Sequence, residues 1–146
     1  MPSKRPFGVT LLLWMVLSLS AWGLTRFVAA LQVWGLLYEF NASLGPLYLS
    51  ITGAGWSVAG GVLLAGIWVG KGWARWAVVA AVFIWLIEYW LERILFQSPR
   101  ANLPFALACS VIFMVSAWIL AILPGTILFF AKSEEHEQPT ENPNSE

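Results

Sequence analysis

The sequence predicts an all-α fold: a four-helix transmembrane bundle with a long or broken first helix and a disordered acidic C-terminal tail. The first observation is composition, since 59% of the 146 residues are hydrophobic and the mean hydropathy is +0.72. The second is four long apolar runs, because about 20 apolar residues suffice for a helix to cross a bilayer. The third is charge placement, with five of the eight acidic residues in the last thirteen positions. We therefore expect one transmembrane domain over residues 1–132 and a tail over residues 133–146.

The first predicted helix covers about residues 7–38. A continuous helix of that length would measure roughly 48 Å at ~1.5 Å per residue, more than the ~30 Å hydrocarbon thickness. Either the helix projects beyond the membrane, or it breaks near Gly23-Leu24-Thr25 and residues 27–38 lie along the interface. A signal peptide ending near Ala30 is disfavoured, because the apolar stretch exceeds the usual ~7–15-residue core and Arg26 precedes the site.

Three further helices are predicted at about residues 46–70, 73–95 and 103–130. Gly70-Lys71-Gly72 permits only a tight connection, so the second and third helices should be antiparallel neighbours. Pro124 and Gly125 should kink the fourth helix near its end. The tail from Ser133 is rich in Glu and Pro and cannot bury enough apolar surface to order itself.

The distribution of Lys and Arg predicts the orientation. With a cytoplasmic N-terminus, the inner side carries Lys4, Arg5, Lys71, Arg75 and Lys132, and the outer side carries Arg26, Arg93 and Arg100. The excess of basic residues on the inner side favours two cytoplasmic termini and a multi-pass protein of the plasma membrane.

Small residues recur at helical spacing along the second and fourth predicted helices. They allow close backbone approach, which drives helix association in lipid. We interpret them as packing residues within the bundle, and the alternative is a contact between copies of the chain. The residues are Gly53, Ser57, Gly61, Ala65, Gly66, Gly70, Ala117, Ala121 and Gly125.

Glu88 lies within the third predicted helix, where an ionisable group is costly unless it is paired or solvated. Glu92 follows one turn later, Arg93 lies on the adjoining stripe, and Arg26 falls at the depth of Glu92 when residues are counted along the first helix. We therefore predict an ion-pair or cation site formed by Arg26, Glu88, Glu92 and Arg93.

The same cluster permits a functional interpretation. Glu88 would bind a proton or an organic cation between the aromatic rings of Trp85, Tyr89 and Trp90. Small multidrug transporters are also short four-helix proteins with a membrane carboxylate among aromatic rings. Their carboxylate lies in the first helix rather than the third, which argues against direct membership of that family.

The composition does not favour catalysis. Asp is absent, and the only histidine, His136, lies in the tail. The apolar helices therefore carry no pair of nucleophile and base, and no axial pair of His or Met residues for haem. Cys109 is the only cysteine, which excludes an intrachain disulfide and a cysteine metal site. We expect no enzyme activity, no cofactor, no metal and no nucleic-acid partner.

The opening residues 5–10 and the hairpin residues 66–77, read as RPFGVT and GIWVGKGWARWA, resemble a diffuse group of uncharacterised small bacterial four-helix membrane proteins. The resemblance covers the first three helices and implies a bacterial inner-membrane location, with no known activity or functional residues. Our leading hypothesis is a non-catalytic structural or accessory component, alone or within a larger membrane complex. The alternative is a small homo-oligomeric transporter or channel-like protein that uses Glu88 as its proton or cation site.

Overall fold

The computed structural model describes residues 5–39, 45–96 and 102–135. Within these ranges all regular structure is helical, which confirms the all-α prediction. The helices are α1 (Phe7–Gln32), α2 (Trp34–Glu39), α3 (Pro46–Val69), α4 (Gly72–Phe96), α5 (Leu103–Ile122) and α6 (Pro124–Glu135).

Three of these helices, α1, α3 and α5, are long and apolar enough to cross a membrane. The protein is therefore a helical membrane protein. With 25 residues, α4 is as long as this group requires, but it carries four charged residues and falls outside it. These four are Arg75, Glu88, Glu92 and Arg93.

The first helix breaks at a different place from the one considered above. α1 runs without interruption through Gly23, Leu24 and Thr25, and the chain leaves helical geometry at Val33 (φ −107°, ψ 21°) before α2 begins. The proposed break near Gly23 is wrong, because that glycine lies against α3 in a close helix crossing.

The connection between α3 and α4 is a glycine-terminated turn. Gly70 has a φ of 82°, and its N–H donates to the carbonyl oxygens of Gly66 and Ile67, both at 3.1 Å. The N–H of Lys71 also donates to Gly66, at 2.9 Å. A left-handed glycine closes the helix in this way because it has no Cβ to clash. α4 begins two residues later, so α3 and α4 form the expected antiparallel hairpin.

The last predicted helix is divided into α5 and α6. Leu123 is extended (φ −57°, ψ 135°) because the ring of Pro124 disfavours helical geometry in the residue before it. α6 continues to Glu135, so the prediction of disorder is wrong for Ser133–Glu135. The remainder of the predicted tail lies outside the described residues.

The most extensive helix contact joins α1 and α3. A Cβ added to Gly53 would lie 2.6 Å from the backbone nitrogen of Phe27, and one added to Gly60 would lie 2.5 Å from the Cβ of Ser20. The Ser20 hydroxyl donates to the carbonyl oxygen of Ser57 at 3.4 Å. These two helices therefore touch through backbone and small side chains.

The predicted small-residue stripe divides between several environments. Gly53 and Ser57 face α1, whereas Gly61 and Ala65 are exposed and no atom lies within 4 Å of a Cβ added to Gly61. The remaining members of the stripe lie in four other places. Gly66 faces the ring of Trp73, and Gly70 forms the α3–α4 turn. Ala117 and Ala121 are fully buried. Gly125 lies near Pro6.

The buried core joins α1, α3, α4, α5 and α6. α6 lies across one end of it, since Thr126 contacts Gly8 of α1 and Ser133 contacts Gly70 at the α3–α4 turn. We call this the basic end, because it includes the basic residues of the helix starts and turns. They are Arg5, Lys71, Arg75 and Lys132.

Candidate functional site

Arg26 of α1 forms ion pairs with two carboxylates of α4. Its Nη1 lies 3.5 Å from Oε1 of Glu88, and its Nη2 lies 2.6 Å from Oε1 of Glu92. The three side chains are only 13%, 17% and 15% exposed, respectively. The structure thus joins Arg26, Glu88 and Glu92 at the end of the bundle opposite the basic end.

The fold positions these groups through backbone contacts close by. Glu88 and Glu92 are one turn apart and therefore share a face of α4. Arg26 lies between Gly23 and Phe27, the two residues of α1 whose backbone approaches Gly53 of α3. Because this crossing leaves no room for even one added carbon atom, α1 holds the Arg26 backbone in a defined place.

Two aromatic residues of α3 lie against the carboxylates. The indole N–H of Trp56 donates to Oε2 of Glu88, and the Tyr48 hydroxyl lies beside Glu92. Each carboxylate therefore pairs with Arg26 and has one aromatic side chain next to it. We call these five residues the Arg26 cluster; it links α1, α3 and α4.

The sequence interpretation missed Trp56 and Tyr48, although the hairpin contains a signal for both. Trp56 lies roughly 15 residues before Lys71 and Glu88 roughly 17 after it, which is the same depth at ~1.5 Å per residue. Tyr48 and Glu92 match in the same way, at roughly 23 and 21 residues from the turn. Counting outward from the hairpin turn therefore pairs both aromatic residues with their carboxylates.

The aromatic rings nearest the guanidinium group also differ from those predicted. Arg26 lies 4.7 Å from the ring centre of Trp22 and 6.0 Å from that of Tyr48. Trp85 packs edge-on against Trp22 at 5.7 Å and stacks on Tyr89 at 5.8 Å.

The other predicted members of the site face α5. The indole N–H of Trp90 donates to the Ser110 hydroxyl at 3.2 Å, and Arg93 donates to the Tyr89 hydroxyl at 3.1 Å. Neither residue belongs to the Arg26 cluster. The structure therefore separates a site that was predicted as one into two, on neighbouring faces of α4.

The Arg26 cluster carries one more negative than positive group when its members are ionised. A groove of about 630 Å³ between α3 and α4 reaches it, lined by Glu88 and Trp56 at one end and by small residues such as Ala77 and Ala81. The carboxylates of this cluster can bind a proton or a cation, or they can simply pair with the guanidinium group of Arg26. The described residues contain no grouping of three His, Cys, Asp or Glu side chains that would hold a metal ion.

Comparison with protein-family models, curated proteins and solved structures found no match. The resemblance to small bacterial four-helix membrane proteins stays a prediction. The function must therefore be argued from the described geometry.

Replacing Trp56 with phenylalanine should destabilise the protein through Glu88. The ring shape is largely kept, but the carboxylate loses its indole donor, and hydrogen bonds to charged groups contribute about 1.5–3 kcal/mol. We expect a loss of about that size in the free energy of unfolding, measured by circular dichroism in mixed detergent micelles. Trp14→Phe is the matched control, since Trp14 is 61% exposed. Equal losses in the two variants would contradict a specific role for the indole N–H.

Proposed function

We propose that this chain is a small integral membrane protein without catalytic activity, acting as a structural or accessory component of a larger membrane complex. The observation that carries this proposal is the Arg26 cluster. Its charged groups pair with one another, Trp56 donates a hydrogen bond to Glu88, and the five residues come from three helices. Such an arrangement stabilises and orients a bundle, because polar side chains in lipid associate helices when they find partners.

In this proposal α4 is a fourth transmembrane helix. Two of its four charged residues, Glu88 and Glu92, form ion pairs with Arg26, which lowers the cost of placing them in lipid. The other two, Arg75 and Arg93, lie within one turn of the helix ends, where long basic side chains reach the interface. The α3–α4 hairpin also requires α4 to return across the thickness that α3 crosses.

The proposed orientation places the basic end in the cytoplasm. α1 and α4 begin at this end and α6 lies across it, so the first and last helices of the described residues meet on this side. Lys and Arg concentrate on the cytoplasmic side of membrane proteins. A bacterial inner membrane is proposed from the sequence resemblance.

A second candidate is a transporter or channel-like homo-oligomer that uses Glu88. The excess negative charge of the Arg26 cluster favours it, as does the groove that reaches Glu88 between α3 and α4. In this case Glu88 would exchange its Trp56 hydrogen bond for a proton or an organic cation.

Proteoliposomes distinguish the two candidates. With the purified intact chain, we expect no proton or organic-cation flux above that of empty liposomes, measured with a pH-sensitive dye and with a fluorescent cation. Glu88→Gln should give the same trace as the wild type. A wild-type flux that disappears in Glu88→Gln would replace the accessory role with the transporter.

The accessory role also requires a partner. The chain expressed at its native level should leave the membrane in mild detergent with a second membrane protein at a fixed molar ratio. We expect that ratio to survive a second purification step. Recovery of the chain alone, or with proteins in variable amounts, would contradict this role.

A further inference from the structure

A cleft of about 500 Å³ separates α4 from α5, on a face of α4 next to the one that carries Glu88 and Glu92. Arg93 and Asn102 line its outer end, and Trp85 and Phe113 line its deep end. Along α5 the cleft extends ~16 Å from Asn102 to Phe113, at ~1.5 Å per residue. It is therefore long, polar at the mouth and aromatic at depth.

The mouth of the cleft carries positive charge. The Tyr89 hydroxyl accepts a hydrogen bond from Nη1 of Arg93 at 3.1 Å and orients the guanidinium group. None of the described residues that line the cleft is Asp or Glu. α5 also begins here, and the Asn102 side chain does not cap it, so the positive end of the helix dipole adds to the field of Arg93.

The rest of the cleft suits a hydrocarbon chain. Its volume falls within the ~300–1,000 Å³ of small-molecule sites, and aromatic and small apolar side chains form most of its wall. Phe105 at its edge is 72% exposed, so the cleft opens sideways toward lipid rather than through the bundle. A ligand from the bilayer reaches it without crossing water.

We propose that the α4–α5 cleft binds one anionic phospholipid of the surrounding leaflet. The phosphate group lies at the Arg93 guanidinium, and one acyl chain follows α5 toward Phe113. Arginine suits this role because its planar group donates two parallel hydrogen bonds to a phosphate. This lipid fills the gap between α4 and α5.

Native mass spectrometry of the full chain tests the proposal, after release from nanodiscs of equal parts phosphatidylglycerol and phosphatidylcholine. We expect one retained lipid per chain, with phosphatidylglycerol preferred. Arg93→Gln should lower this preference about fivefold, since one basic side chain near anionic lipid contributes about 1 kcal/mol. Arg93→Lys should keep most of it. Arg75→Gln is the matched control on the same helix and should leave the preference unchanged.

Cys109→Phe separates a lipid in the cleft from a lipid at the surface. Cys109 lines the cleft and is exposed, so the larger ring fills the space and leaves the charge of Arg93 in place. We expect this variant to lose the retained lipid, and Cys109→Ser to keep it. Retention in Cys109→Phe, or an unchanged preference in Arg93→Gln, would overturn the proposal.

A soluble anion is the remaining source of a phosphate group. Glycerol phosphate added in excess should leave the retained phosphatidylglycerol unchanged, because it lacks the acyl chain that occupies the deep end. Displacement of the lipid by glycerol phosphate would assign the site to a soluble anion and overturn the lipid proposal.

Discussion

Replacing Arg26 with methionine is expected to lower the free energy of unfolding by about 3–5 kcal/mol, the usual cost of removing one partner of a buried ion pair. Methionine keeps an unbranched apolar stem but leaves Glu88 and Glu92 facing each other without a cation. Both carboxylates are at least four-fifths buried, so water compensates them poorly. Reversible unfolding in mixed micelles, followed by circular dichroism, measures the change.

The variant Arg26→Met with Glu88→Gln and Glu92→Gln is the control for charge. It removes all three ionisable groups and keeps hydrogen-bonding side chains beside Trp56 and Tyr48. We expect it to recover most of the lost stability, because a neutral cluster no longer leaves a charge in lipid. If it is as unstable as Arg26→Met alone, Arg26 acts through the packing of its stem rather than through its charge.

Gly53→Ala is expected to lower the free energy of unfolding by about 1–3 kcal/mol, the usual range for an overpacked contact. The added carbon would lie 2.6 Å from the backbone nitrogen of Phe27 and 2.8 Å from the carbonyl oxygen of Gly23. Backbone atoms cannot rotate away as a side chain does, so α1 and α3 must separate. The same unfolding measurement reports the loss.

Two glycines of the same helix provide controls for Gly53. A Cβ on Gly55 or on Gly61 meets no atom within 4 Å. Gly55→Ala and Gly61→Ala should leave stability unchanged or raise it by up to about 1 kcal/mol through helix propensity. If either variant loses as much free energy of unfolding as Gly53→Ala, the loss comes from alanine within α3 itself and not from the contact between α3 and α1.

The helices and the α3–α4 hairpin could be predicted because they depend on local pattern. Long apolar runs predict the membrane helices, and a connection of Gly-Lys-Gly leaves no topology other than an antiparallel pair. The break in the first helix could not be placed in this way. Glycine weakens a helix in water, but in lipid it serves as a contact residue, and Gly23 is such a residue.

The predicted packing stripe lies against α1 at its start and turns away from α1 further along α3. A helix turns by about 100° per residue, so seven residues return a side chain nearly to the same face, whereas eight overshoot by about 80°. Gly60 therefore lies with Gly53 against α1, and Gly61 faces outward. Residues spaced by four therefore drift around the helix, and the third of them no longer faces α1.

The ion pair of the candidate site could be predicted from the depth of its residues along the helices. The other residues predicted for the site could not be placed in this way. Counting along the helices placed Arg26 level with Glu92, and the structure joins them. Arg93 is one residue beyond Glu92 and hence about 100° around α4, which turns it toward α5. The rotation of a helix about its axis depends on tertiary packing, and the sequence alone does not specify it for α4.

The Arg26 cluster joins residues that are made at different times. Glu88 follows Arg26 by 62 residues. At ~5–20 residues per second, ribosomal synthesis separates them by ~3–12 s. Throughout this interval the nascent first helix carries a positive charge whose negative partners do not yet exist, so it must remain beside water, lipid phosphate or the insertion machinery. When α4 is made, Glu88 and Glu92 pair with Arg26, and the Arg26 cluster is then complete.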